Sequence, residues 1–179
     1  MMRLAYADPP YPGQARKHYA HDERCAEVDH VALVSRLREF DGWALSTSST
    51  ALYHVMNCCV AAGLQLWPHD PRGVRVASWV KPFASFKRGV NPAYAWEPIL
   101  FVSARRRDRS EPTVRDWVSA NITLKRGLSG VKPEAVSLAI FDLMGARPGD
   151  EFHDLFPGSG AVMDAWNAKF SAPVAREEG

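Results

Sequence analysis

The stretch that most constrains the fold lies near the N-terminus, where Arg3-Leu4-Ala5-Tyr6-Ala7 runs into Asp8-Pro9-Pro10-Tyr11. A short apolar run free of turn residues reads as a buried strand. Two successive prolines remove two backbone donors and fix two φ angles, so the strand has to end there. The loop that follows is stiff. It holds a carboxylate, an undonated carbonyl and a flat ring in a fixed relation. A carboxylate beside a free carbonyl is a receptor for an NH2 group, and an adjacent aromatic can stack on a planar base. Asp8, Pro9, Pro10 and Tyr11 therefore point to a grip on the exocyclic amine of a nucleobase.

The rest of the chain alternates strands with helices. From Pro12 to Glu27 the sequence is polar and aperiodic, the pattern of a long functional loop. Asp29 is placed to cap an amphipathic helix running to Phe40, with Val31, Val34, Leu37 and Phe40 at three-residue spacing. Trp43 to Thr47 reads as a second strand. One hydroxyl of the Ser46–Thr50 cluster can cap a helix over Ala51–Ala62, which Gly63 ends. Leu64 to Trp67 reads as a brief strand, Val74 to Val80 as a third main strand and Ile99 to Ser103 as a fourth, with a loop from Phe83 to Ala95 between those two. A helix over Glu134–Met144, a last strand over Glu151–Phe156 and a helix over Ala161–Phe170 complete the pattern. This alternation predicts one α/β domain over residues 1–179 with a mainly parallel sheet. Ligands of such sheets sit beyond the carboxyl ends of the strands. The loop after Ala7 and the loop Asp154-Leu155-Phe156-Pro157-Gly158-Ser159-Gly160 both follow strands directly, so both are expected on one edge.

Totals exclude several classes. The 179 residues are 46% hydrophobic, enough for a core and too apolar for disorder. A net charge of +2 gives no global basic field, so any nucleic-acid contact has to come from a local patch. Three cysteines, Cys25, Cys58 and Cys59, fit neither a disulfide framework nor a CxxC metal site, and Cys58 and Cys59 read as small buried residues of a helix. The six histidines make no ligand set, so no metal is expected. Met1-Met2-Arg3 leads straight into the first strand, with no signal peptide, and no apolar run approaches membrane-spanning length. The expectation is a cytoplasmic protein without a membrane partner.

The Asp154–Gly160 loop puts two glycines around a serine between a strand and a helix. Such a loop lets backbone approach a ligand closely, with a helix N-terminus behind it that favours a negative group. With both loops present, the sequence resembles the amino-methyltransferases that use S-adenosylmethionine and modify exocyclic amines of nucleobases. Their hallmarks are a DPPY-type catalytic loop, here Asp8 to Tyr11, and an Asp-x-Phe-x-Gly-Ser-Gly cofactor loop, here Asp154 to Gly160. Lys132-Pro133-Glu134, with Gly149-Asp150-Glu151-Phe152 beyond it, is similar to the family's segment before the cofactor strand. Catalytic loop first and cofactor loop last is the circularly permuted, beta-type order. Trp79-Val80-Lys81 and Trp96-Glu97-Pro98-Ile99-Leu100 also resemble the related RNA adenosine methyltransferases.

The resemblance implies a Rossmann-like methyltransferase sheet, permuted and cut short on its C-terminal side, because no strand is evident in Ser171–Gly179. It implies S-adenosylmethionine as cofactor and adenine N6 in DNA, flipped from the helix, as target. RNA and cytosine N4 stay open as substrates, a homodimer as assembly, and a non-catalytic binding module as the rival reading. Asp8 and the Pro9 carbonyl would accept from the amine, and Tyr11 would stack on the base. Asp154, Phe156, Gly158, Ser159 and Gly160 would border the cofactor. Lys81, Lys132 and Asn167 would add further contacts to it. Residues 1–103 would form a catalytic half, 131–179 a cofactor-loop half, and 104–130 a basic recognition segment between them. Arg105, Arg106, Arg107 and Arg109, with Arg88, Lys125 and Arg126, are the candidates for phosphate contacts.

Overall fold

Strand β1 (Arg3–Ala7) stops one residue before the first proline of the pair, and its residues from Leu4 onward are buried. The computed structural model describes residues 1–12, 27–67, 70, 72–83, 89–123 and 131–171. Most of the loop expected between Pro12 and Glu27 lies outside the described residues, as do Cys25, Arg88, Lys125, Arg126 and the expected C-terminal tail.

Helix α1 (His30–Leu37) starts where Asp29 caps it, accepting from the Val31 and Ala32 amides at 2.9 and 3.0 Å. It ends at Leu37 rather than running to Phe40, because Arg38 to Phe40 turn back on the last helical carbonyls. Strand β2 (Gly42–Ser46) is buried throughout. A side chain at Gly42 would collide with the Ala104 backbone, which explains a glycine at that crossing. Helix α2 (Leu52–Ala61) follows a turn in which Ser48 Oγ accepts from the Ala51 amide at 3.2 Å. Cys58 and Cys59 are buried in it as expected. Leu66 makes only a single bridge, to Val74.

Strands β3 (Arg75–Val80), β4 (Trp96–Val102), β5 (Trp117–Ser119) and β6 (Glu151–Asp154) complete a six-stranded sheet in the order β5-β3-β4-β2-β1-β6. The sheet is mostly parallel, as the alternation predicts. The exception is β4, which slots between β2 and β3 and runs antiparallel to both. Strand β5 has no counterpart in the sequence reading. Edge strand β6 pairs with β1, and among the described residues nothing pairs with its other side. No helix among the described residues is long and apolar enough to cross a membrane.

Helices cover both faces. Leu4, Tyr6, Ile99 and Phe101 point to one face, where they meet helix α3 (Glu134–Met144) and helix α4 (Ala161–Phe170) through Ile140, Phe141 and Trp166. Ala5, Ala7, Trp43, Leu45 and Leu100 point to the other and meet Val34, Leu37, Val55 and Cys59 of α1 and α2. Alternation along each strand thus builds two cores from one sheet. Trp43 and Trp79 pack in these cores, whereas Trp96 is exposed.

Candidate functional site

The two loops singled out in the sequence lie side by side. Strands β1 and β6 run parallel in register Tyr6↔Asp154, and the Leu155 amide donates to the Tyr6 carbonyl at 2.9 Å. Asp8 and Phe156 therefore leave the sheet together, two residues past that pair. Reversed β4 brings a third element to the same edge. Its first residues lie level with the last of β2 and β3, through Ser46↔Ile99 and Val80↔Trp96. Glu97 falls on the strand face that carries Ile99 and Phe101, so it points toward the α3–α4 side, beside Asp8.

A chain of four charges results. Lys132 Nζ lies 3.0 and 2.9 Å from the two Asp8 oxygens and 3.4 Å from Glu97 Oε2. The other Glu97 oxygen accepts from Lys81. Tyr11 donates its hydroxyl proton to Glu97 Oε2 at 2.8 Å. Both ammonium groups also face the Trp79 ring, Lys81 at 4.7 Å and Lys132 at 5.4 Å from its centre. The Trp79 indole donates to the Ala120 carbonyl at 2.8 Å, fixing the ring. Tyr6 and Ser46 share a buried hydroxyl contact of 2.8 Å beneath.

Burial sets the electrostatics and the ion pairs answer it. Desolvation pushes the Asp8 carboxyl above its ordinary range, although Lys132 pulls the other way. Desolvation also works against Glu97, yet Lys132, Lys81 and the Tyr11 hydroxyl outweigh it and hold the carboxylate below its usual range. Burial opposes charge on Lys132 too, but Asp8, the two tyrosines and Glu97 raise it well above an ordinary lysine. Tyr6 and Tyr11 are raised by burial and stay protonated. Two ammoniums and two carboxylates balance, so the enclosed network is neutral.

The glycine loop is arranged differently. Asp154 Oδ1 accepts from the Phe156 amide at 3.1 Å, while its Oδ2 is buried with no partner among the described residues. Desolvation raises this carboxyl as well. The Gly160 amide donates to the Pro157 carbonyl at 2.7 Å, closing a tight turn into α4. Gly160 takes a φ of 78°, and a Cβ built there would meet no atom of the described residues within 4 Å. Gly158 takes a φ of 49°. No side chain caps α4, so its first amides are free of such a partner. A buried acceptor, free helix amides and open space above a glycine make a cradle for a polar ligand carrying both donor and acceptor groups.

The remaining predicted residues scatter. Pro9 is buried and Pro10 half-buried in the first loop; Gly158 and Ser159 are exposed in the second. Asn167 is exposed along α4, past the helix start that faces the loop. The arginines sit elsewhere. Because β4 runs against its neighbours, the residues after Val102 emerge beside the start of β1, roughly 16 Å from Asp8 at ~3.3 Å per residue. There Arg105 makes two contacts of 2.6 Å with Asp150, which also accepts from the Met2 amide at 2.9 Å. Arg107 donates to the Asp142 carbonyl at 2.7 Å and pairs with Glu111. Arg106 and Arg109 are exposed on that same far edge. The expected phosphate patch is thus separated from the loops, and two of its members are engaged within the protein. Lys132, expected to contact the cofactor, makes its contacts here with Asp8 and Glu97.

Glu97 is the residue missed as a functional group. One signal could have found it: a carboxylate in phase with Ile99 and Phe101 falls on a buried face, where a charge needs a partner.

No family model matches the chain, and no curated protein matches its sequence. Among solved structures, the chain is similar to the M1.HpyAVI–SAM complex, with a TM-score of 0.61 at 16% identity over 93% of this chain and 77% of that one. It is also similar to a second structure of M1.HpyAVI, with a TM-score of 0.56 at 14% identity over 93% of this chain and 75% of that one. At these identities the likeness establishes the fold alone: the mostly parallel α/β sheet that the strand–helix alternation implied, Rossmann-like as the resemblance implied.

Proposed function

We propose that this protein transfers a methyl group from S-adenosylmethionine to the exocyclic N6 amine of adenine in DNA. The observation that carries the reading is the adjacency of the Asp8–Tyr11 and Asp154–Gly160 loops across the β1–β6 pair. Likeness in fold to M1.HpyAVI, solved as a complex with SAM, supports it. The donor set of the second loop fits the cofactor. Free amides at the start of α4 and the open backbone of Gly158 and Gly160 suit its carboxylate, and unpartnered Asp154 Oδ2 suits its ammonium or hydroxyl donors. When bound, S-adenosylmethionine supplies a methyl group on a positive sulfur, already activated for attack.

The chain's own residues then have the task of presenting the amine. Adenine delocalises its amine lone pair into the ring, which makes it a poor nucleophile. Asp8 and the Pro9 carbonyl accept the two N–H bonds and turn the nitrogen so that its lone pair leaves the ring plane. Pro10 carries no N–H that could compete for either acceptor. Tyr11 offers a ring to the flipped base, and its hydroxyl anchor on Glu97 fixes where that ring stands. No strong general base is required. The rate enhancement is a matter of alignment and of placing negative charge near a developing cation.

Two measurements test the reading together. Calorimetry should show binding of S-adenosylmethionine and of its demethylated product. Adenine-rich duplex DNA incubated with protein and cofactor, then digested to nucleosides, should contain N6-methyladenine. Absence of binding heat and of any methylated nucleoside would overturn the reading; methylated cytidine without methylated adenine would reassign the target base.

A further inference from the structure

We propose that Lys132 is a positioning residue shared between Asp8 and Glu97, and that entry of the target amine moves it from the first carboxylate to the second. The inference rests on the methyl-transfer reading and deepens it. Lys132 Nζ straddles both Asp8 oxygens, at 3.0 and 2.9 Å, which are the lone pairs the amine needs. An ammonium has three donors and no acceptor, so it cannot bond the incoming NH2 hydrogens itself. It has to yield. Only 6% of its side chain is exposed, and an unpaired ammonium at such a site costs several kcal/mol. A second seat is already in place. Glu97 Oε2 stands 3.4 Å from Nζ, so a shift of under ~1 Å makes an ordinary hydrogen bond there. The pair count does not change in the move: two ammoniums still face two carboxylates, and the amine replaces one ammonium contact on Asp8. The same shift draws Lys132 toward the oxygen that anchors Tyr11, so amine capture and ring placement are coupled.

Lys132 also keeps Asp8 able to accept. The groups facing Asp8 are Lys132, Lys81, Glu97, Asp154 and the hydroxyls of Tyr6 and Tyr11. Burial, Glu97 and Asp154 favour the protonated acid, which would turn an acceptor into a donor. The two lysines oppose them, and Lys132 is the one in contact.

The test is the pH–rate profile of methyl transfer to adenine-containing DNA for wild type, Lys132→Met, Lys132→Arg and Glu97→Gln, with cofactor affinity measured by calorimetry. Lys132→Met should move the acid limb upward by about one pH unit or more and lower kcat at pH 7 at least ~10-fold, with cofactor Kd within ~2-fold. Lys132→Arg should return the limb toward wild type. Glu97→Gln should act in the opposite sense on the limb, moving it down because a like charge beside Asp8 is gone, while KM for DNA rises ~5-fold or more because Lys132 has lost its second seat. An unmoved limb in Lys132→Met, or a ~10-fold loss of cofactor affinity in it, would assign Lys132 to scaffold or cofactor and overturn the proposal. If that variant does not fold, Glu97→Gln decides: an upward limb or an unchanged KM overturns it. A wild type that binds no cofactor and transfers no methyl group overturns the functional reading first; an active wild type with an unshifted Lys132→Met limb overturns the positioning role alone.

Discussion

The two loops at the carboxyl edge of the sheet are neighbours by register yet opposites in their bonding. Around Asp8 every charge is answered: Lys132 on Asp8, Glu97 on both lysines, Tyr11 on Glu97. Around Asp154 the bonding is left open among the described residues, with a buried oxygen that lacks a partner, an uncapped helix and empty space above Gly160. A closed network holds its members close to their working places, with Lys132 alone required to shift from Asp8 toward Glu97 when the target arrives. An open one carries a standing cost that a ligand relieves on binding. On the proposed methyl-transfer reading, the difference gives the loops different duties, orientation in the first and capture in the second. Their responses to substitution should therefore differ in kind.

The largest effect should come from Asp8→Ala. It removes the proposed acceptor for the amine, and methyl transfer should fall by ~10³-fold or more. Lys132 would be left with Glu97 alone, at a stability cost of about 3 kcal/mol. Cofactor affinity should stay within a few-fold of wild type, measured by calorimetry. A collapse of cofactor binding without loss of folding would mean that the closed network also captures. Gly160→Val probes the other loop. A φ of 78° strains any L-residue by about 1–2 kcal/mol, and the new side chain would enter space that no atom of the described residues fills. Gly149→Val is the control, since Gly149 has a φ of 83°, equally open space and a place before β6, at the far edge. Both variants should lose similar stability. Only Gly160→Val should weaken cofactor binding, by ~10-fold or more. Equal affinities would show that the open loop captures nothing.

Much of this arrangement was readable in the sequence because its signals are local. Pro9-Pro10 ends a strand wherever it stands, and a Gly-Ser-Gly between strand and helix marks a tight turn. Asp29 caps its helix through its own side chain, which is why that start was placed correctly. Reversal of β4 had no such signal. A buried strand such as Ile99-Leu100-Phe101 presents the same apolar alternation in either direction, and direction follows from which neighbours it joins. That one reversal decides two matters the sequence left wrong or silent: it brings Glu97 to Asp8, and it carries Arg105 to Arg109 away from both loops. Strand β5 was illegible for another reason. It is three residues long with its flanking tryptophan and serine exposed, so no burial pattern marks it. The contact between Lys132 and Asp8 was illegible because that carboxylate lies 124 residues away in the chain.

Arg105→Ala should sharpen the contrast from the far edge. Arg105 and Asp150 form a closed pair like that of Lys132 and Asp8, but away from the loops. The Arg105 hydrogen bonds, with amide donors from Met2 and Arg147, hold the Asp150 carboxyl at about 2. A depressed carboxyl contributes stability that is present above the unfolded value near ~4 and lost as pH falls toward ~2. The pair and its amides thus supply about 2 kcal/mol at neutral pH. Arg105→Ala should remove a large share of that and flatten the acid limb of a stability–pH curve, while cofactor affinity and methyl transfer stay at wild-type levels. A selective loss of DNA affinity would instead restore the far edge as a phosphate contact.

Asp154→Asn carries the smallest effect and the sharpest sign. Burial raises the Asp154 carboxyl, so its ionised form opposes folding. A group raised in the folded state contributes stability below its unfolded value near ~4, and that stability is lost as pH climbs through the folded value. At pH 7 the wild-type protein without ligand therefore bears the cost of an ionised, half-satisfied carboxylate. Asparagine keeps an acceptor for the Phe156 amide and carries no charge. Without cofactor, Asp154→Asn should be slightly more stable than wild type at pH 7, by roughly 1 kcal/mol, with the advantage shrinking as pH falls toward the unfolded carboxylate value near ~4. With saturating cofactor the order should reverse, because the anionic partner for the ligand's donors is gone. Thermal melts with and without S-adenosylmethionine at pH 5 and 7 read both signs. A variant less stable than wild type under every condition would mean that Asp154 is already satisfied within the protein, and the distinction between a closed loop and an open one would fail at the residue on which it depends most.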